Sequence, residues 1–175
     1  VVASAACVLM ALRPLRFALG LAVLLAGGWF SALAFGRVIH AERTFFGVYR
    51  VVNFEGASFT PREGPQAGQK VIVPSHALFH GTTRHGSQVQ HPVLGMRAGT
   101  YYHISGPIGS VFLTLRHSPL LDRVAIVGLG AGTLAVYGEP GQQYTFYEID
   151  PAVERIARDP QFFTYLRDAA ASVNV

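Results

Sequence analysis

Cysteine and charge are the two things this 175-residue chain has little of. Its one cysteine, Cys7, excludes a disulfide within the chain and any cysteine-based zinc site. Set in an apolar stretch, it reads as a small packing residue. Charged residues make up only 14% of the chain while apolar ones reach 50%, and the imbalance is uneven. No acid precedes Glu42, so residues 1–37 hold Arg13, Arg16 and Arg37 unopposed and carry +3 of the net charge of +4. The basic balance is therefore a property of the N-terminal stretch. It does not describe a nucleic-acid surface, which needs Lys and Arg clustered on the folded part; a membrane flank accounts for it better. There is no internal repeat.

Val1–Leu12 is apolar, Arg13-Pro14-Leu15-Arg16 interrupts it, and Phe17–Phe35 then runs for 19 residues without a charge. At ~1.5 Å per residue, such a helix comes close to the ~30 Å hydrocarbon core of a bilayer. Trp29 and Phe30 suit an interfacial belt. Gly27 with Ser31, and Gly28 with Ala32, place small residues four apart, as close packing of membrane helices requires. The reading is a membrane span preceded by the tail of an earlier one, with a signal peptide and a buried soluble helix as alternatives. Arginines flank both ends, so the positive-inside rule does not choose an orientation. The chain starts without Met and stops as a new apolar alternation, Ser172-Val173-Asn174-Val175, begins. The expectation is a fragment of a larger polytopic protein.

Beyond the arginines the pattern changes. Thr44–Phe54 is rich in aromatic and β-branched residues and predicts a strand, with Glu55-Gly56 as a turn. Thr60–Lys70 predicts a loop, and Val71–Val73 and His76–His80 two short strands, together a small antiparallel β-module. Pro107 at a first helical turn, with Ile108, Val111, Phe112 and Leu115 at helical spacing, predicts a helix. Leu120–Gly128 is a near-continuous apolar run, as in a parallel strand buried on both faces. Thr133–Tyr137 predicts a helix start and Tyr144–Ile149 the next strand. Pro151–Arg158 predicts a helix capped by Asp150, and Gln161–Asp168 a further short helix; a third parallel strand starts at Val173.

The segment VAIVGLGAGTLAVYGEPGQQYTFYEID, Val124 to Asp150, carries the chemistry. Gly128, Gly130 and Gly132 follow an apolar strand and open a helix, where backbone can approach a ligand closely. Glu148, at the end of the next strand, can accept hydrogen bonds from both ribose hydroxyls. NAD and S-adenosylmethionine sites share this logic. Thr133 stands where NAD spacing wants a third glycine, which leans the motif toward an adenosylmethionine-type cofactor. Asp150 is either a second ribose contact or the cap of the next helix. His76 and His80 are four apart with His85 beyond, but Pro74, Gly81 and Gly86 argue against the helix that a zinc site would use there, and no metal is expected. The predicted fold class is α/β in three parts. A transmembrane helical region covers 1–36 and a small β-domain covers 37–98. The first half of a Rossmann-like, methyltransferase-type parallel sheet covers 99–175 and is cut off at its C-terminus.

Laid out this way, the chain resembles the polyamine aminopropyltransferase (spermidine synthase) family, closest to its membrane-fused branch. Three pieces from about Arg43 to Val175 carry the resemblance: FHGTTRHGSQ at Phe79–Gln88, TYYHISGPIG at Thr100–Gly109, and VAIVGLGAGTLA with YTFYEIDPAV. The third piece is shared with methyltransferases generally; the first two are more specific. The resemblance implies transfer of an aminopropyl group from decarboxylated S-adenosylmethionine to putrescine or a related amine. It implies that Gly128, Gly130 and Gly132 line the cofactor and that Glu148 holds its ribose. It implies that Tyr102, His103, His80 and Gln88 lie at the substrate cleft. It also implies a main catalytic acid beyond Val175, so that residues 1–175 are inactive alone, and a homodimer formed through the β-domain. Membrane anchorage with a cytoplasmic catalytic domain goes with it. The departures are specific. The family's acid before the glycine of its Asp-Gly turn is His80 here, its glutamine falls at Arg84, the Glu after its Tyr-His pair is Ile104, and the Asp of its glycine turn is Ala131. Two rival readings follow: a methyltransferase using ordinary S-adenosylmethionine, and a non-catalytic protein that binds polyamine or nucleoside.

Overall fold

The computed structural model describes residues 13–34, 36–60 and 68–175. The chain divides into two compact units, Val1–Arg37 and Val38–Val175. The first unit holds one described helix, α1 (Pro14–Ala34), with proline at its first position. The membrane span expected over Phe17–Phe35 is corrected here: no helix among the described residues is long and apolar enough to cross a membrane. Arg16 stands in the first turn of α1. Val1–Leu12, read as the tail of an earlier span, lies outside the described residues, as do Cys7, Phe35 and most of the loop expected at Thr60–Lys70. Among the described residues the fold class is mixed α/β with a four-stranded antiparallel and a three-stranded parallel sheet, and no described helix supplies the transmembrane helix that opened the expected architecture.

The second unit begins with a four-stranded sheet in the order β1 (Arg37–Arg43), β2 (Val48–Phe59), β3 (Val71–His80) and β4 (Thr83–Val89). Alternation decides which residues go inward: Tyr49 and Val51 on β2 face the core with Leu78 on β3. Two expectations change. Glu55-Gly56 is not a turn: β2 runs through it, and the β2–β3 register slips by one residue between Phe54 and Ala57, which marks a bulge. Pro74 does not split β3, which runs unbroken to His80.

The β3–β4 hairpin carries a second slip. Leu78 pairs with Gly86 and Phe79 with Arg84, which leaves His85 as the extra residue of a bulge. Gly86 (φ +148°) is required there, since a Cβ on it would come within 2.7 Å of the Ala131 Cβ.

Helix α2 (Pro107–Leu115) follows, again with proline in its first turn, and buries Phe112. Three parallel strands come next, β5 (Arg123–Val127), β6 (Gln143–Tyr147) and β7 (Ser172–Asn174), in that order across the sheet. Helix α3 (Pro151–Arg158) lies between β6 and β7 in sequence and buries Ala152, Val153, Ile156 and Ala157. Expectation and structure differ at two places. β5 is buried on one face only: Val124 and Ile126 pack on the core, while Val127 is 91% exposed. The apolar run is real, but among the described residues β5 lies at the edge of its sheet and its outer face has no cover. Residues 161–168 form turns rather than a helix. There the Gln88 side chain takes the Thr164 amide and the Tyr165 hydroxyl donates to Ser87 carbonyl, so bonds to β4 replace helical ones. One core joins both sheets, with Tyr49, Val51 and Leu78 packed among residues such as Phe112, Tyr144, Phe146 and Ile156.

Candidate functional site

The glycine turn leaves β5 at its carboxyl end. Gly128 (φ +84°), Gly130 (φ +56°) and Gly132 (φ +80°) all adopt the left-handed region that side chains disfavour. Their surroundings differ. A Cβ on Gly128 would meet nothing within 4 Å, so the backbone there faces open space. A Cβ on Gly130 would lie 2.3 Å from the His85 carbonyl oxygen, so this glycine is demanded by the hairpin. A Cβ on Gly132 would meet Leu166, and Gly132 serves internal packing.

Glu148 follows β6. One carboxylate oxygen accepts from the Leu129 amide at 2.9 Å and the other from the Asp150 amide at 3.0 Å. These two bonds leave half of the carboxylate's roughly four lone-pair sites free. The acid both fixes the glycine turn and stays available to hydroxyl donors.

A cavity of about 300 Å³ opens between the turn and the β-hairpins. It is lined by Gly128, Leu129, Gly130 and Glu148 on one side and by Tyr49, His80, His85 and Tyr102 on the other. That volume is at the lower end for a small-molecule site, with room for a nucleoside. A more open depression of about 640 Å³ lies at the amino ends of β5 and β6, near Asp122, Arg123 and Gln143. It has neither glycine turn nor strand carboxyl ends, so the smaller cavity is the candidate site.

The structure therefore gathers Gly128, Gly130, Glu148, Tyr102 and His80 around one space. His80 is stacked on Tyr49 with ring centroids 4.6 Å apart, and its Nε2 lies 2.9 Å from the Phe46 carbonyl, which calls for an Nε2–H donor. Burial pushes the Tyr102 hydroxyl well above the ordinary tyrosine range, so it remains a neutral donor. Tyr137 donates to the Tyr102 carbonyl and steadies that segment.

Other expected residues lie elsewhere. Gln88 is buried 98% away from solvent and spends its amide on Gly95, Thr164 and the Thr164 amide nitrogen. It is a clamp between β4 and the turns after α3. His103 is exposed and paired with Ser105. Asp150 caps α3 through the Ala152 amide and accepts from the Thr44 hydroxyl at 2.6 Å. Burial alone would push its carboxyl up. The hydrogen bonds from Thr44, Ala152 and Tyr49, with Arg155 nearby, outweigh burial and hold it below its ordinary value. Both of its oxygens are engaged, and it does not line the cavity.

Tyr49 and His85 are polar walls of the cavity outside the expected site residues. Tyr49 has its hydroxyl pushed up to about 12, by burial and then by the Asp150 charge. In the sequence His85 stands out only through its spacing from His76 and His80. The glycine that follows it inside a strand was the available signal, because such a glycine marks a bulge. No group of three or more potential metal ligands occurs among the described residues. Comparison with protein-family models, with curated proteins and with solved structures gives no match.

Proposed function

We propose that the cavity binds the adenosyl part of a sulfonium cofactor and that the chain serves alkyl transfer from that cofactor to an acceptor such as an amine. The observation that carries this reading is Glu148. It stands at the carboxyl end of the strand next to the glycine turn, anchored by two backbone amides, with lone pairs left to accept from ribose. The open space in front of Gly128 fits the close approach of a nucleoside to backbone. With decarboxylated S-adenosylmethionine the reaction is aminopropyl transfer to putrescine or a related amine, as the sequence resemblance implies. The chain's own part is to hold the ribose on Glu148, to keep the acceptor in line near Tyr102, and to exclude water. Positioning of that kind contributes up to roughly 7–11 kcal/mol in favourable systems.

A second reading, methyl transfer from ordinary S-adenosylmethionine, is favoured by one feature. Glu148 is the only carboxylate among the described residues lining the cavity. A doubly cationic donor and a cationic amine together would want more.

The test is calorimetric titration of the whole chain with 5′-methylthioadenosine and its 2′-deoxy analogue. The ribose form is expected to bind about tenfold tighter, the scale of one hydrogen bond to a charged group. Equal affinities would remove Glu148 as a ribose acceptor and the reading with it.

A further inference from the structure

The bulge at His85 aims an otherwise unpaired residue at the cavity. The β3–β4 pairing skips it, and bulges re-aim side chains next to sites. Its carbonyl is occupied by the close approach of Gly130 and the Ala131 amide. Its ring touches His80, centroids 5.8 Å apart, and makes no hydrogen bond among the described residues. The ring is thus placed by backbone on both sides while its nitrogens remain free for a ligand.

We propose that His85, backed by His80, receives a carboxylate on the ligand's tail, so that the cavity selects a carboxylated adenosyl cofactor over the decarboxylated one. This rests on the adenosyl reading above and chooses between its two donors. The groups facing His85 decide the sign. Glu148 is already tied to two backbone amides, Tyr49 and Tyr102 are neutral, and His80 is a second imidazole. Arg84 precedes His85 on its own strand. Two adjacent imidazoles are a poor host for an ammonium group; the His85 ring, whose nitrogens are not spent on the protein, can meet a carboxylate with an N–H donor and, once protonated, with charge, while His80, its Nε2–H given to the Phe46 carbonyl, packs behind it. In the free protein, burial and His80 together outweigh the pull of Glu148 and hold the His85 imidazolium below its ordinary pKa. A bound carboxylate reverses that balance, so binding must take up a proton at neutral pH.

The experiment titrates the whole chain with S-adenosylhomocysteine, 5′-methylthioadenosine and decarboxylated S-adenosylmethionine at pH 6 and pH 8, in buffers of different ionisation enthalpy. The carboxylated ligand is expected to bind about tenfold tighter at pH 6 than at pH 8, with uptake of about one proton. Methylthioadenosine, which lacks the carboxylate, should show neither effect. His85→Asn should abolish both effects, and S-adenosylhomocysteine binding that still tightens at pH 6 in that variant overturns the inference. A pH response shared by S-adenosylhomocysteine and methylthioadenosine, or tighter binding of the decarboxylated cofactor at pH 6, overturns the inference and leaves the adenosyl reading standing. No binding of methylthioadenosine overturns both.

Discussion

The Thr44 hydroxyl donates to the Asp150 carboxylate across 106 residues, at 2.6 Å, and so ties the first hairpin to the start of α3. The same carboxylate caps the helix through Ala152. Asp150→Ala removes a cap and a buried acceptor together and should lower stability by about 2–4 kcal/mol. Thr44→Val should cost about 1–2 kcal/mol. The two changes should be non-additive in urea unfolding. The pH dependence has a definite sign. The folded-state pKa of Asp150 lies below its ordinary 3.8, so its contribution is complete above that value and is lost as pH falls through the lower, folded one. Acid titration of wild type against Asp150→Asn should show the difference in stability closing in that window.

Gly128 and Gly130 share a left-handed backbone but not a neighbourhood. Gly128→Ala meets only the conformational penalty, about 1–2 kcal/mol. Gly130→Ala meets that penalty and the His85 carbonyl as well, where 2.3 Å leaves no room for a methyl group. Its unfolding midpoint should lie clearly below that of Gly128→Ala. Ligand affinity should order the other way relative to stability, since only the Gly128 methyl group projects into open space beside the cavity. Equal unfolding midpoints would contradict this packing.

Gln88 separates a structural amide from a binding one. Gln88→Leu strands the Thr164 amide and the Gly95 carbonyl in a buried setting, and a loss of about 2–3 kcal/mol is expected. Affinity for methylthioadenosine should change by less than about twofold, because the residue does not line the cavity. A large loss of affinity at unchanged stability would return Gln88 to the binding site.

Local signals were the legible ones. Proline at first helical positions located α2 and α3, and Asp150 before Pro151 announced its cap. The glycine turn and Glu148 were readable because both depend on residue type at short range. What sequence spacing could not carry was contact between distant segments. Gln88 looked like a substrate ligand until Thr164, 76 residues away, took its amide. Residues 161–168 have a helical composition, yet side-chain bonds to β4 hold them as turns. β5 has the apolar run of a strand covered on both faces, but coverage depends on neighbours and not on the strand itself. The apolar stretch in α1 met the length rule on paper, yet no described helix is long and apolar enough to cross a membrane.

The interlock between the His85 bulge and Gly130 limits how this molecule can be taken apart. The cavity has one wall from the hairpin and one from the parallel sheet, and their backbones meet with no clearance for a single carbon atom. A boundary drawn between residues 98 and 99 would cut through a single fitted surface. A transplanted 99–175 segment would bring the glycine turn without the carbonyl that seats it. Anyone grafting this glycine turn onto another scaffold must carry the β3–β4 hairpin with it, bulge included.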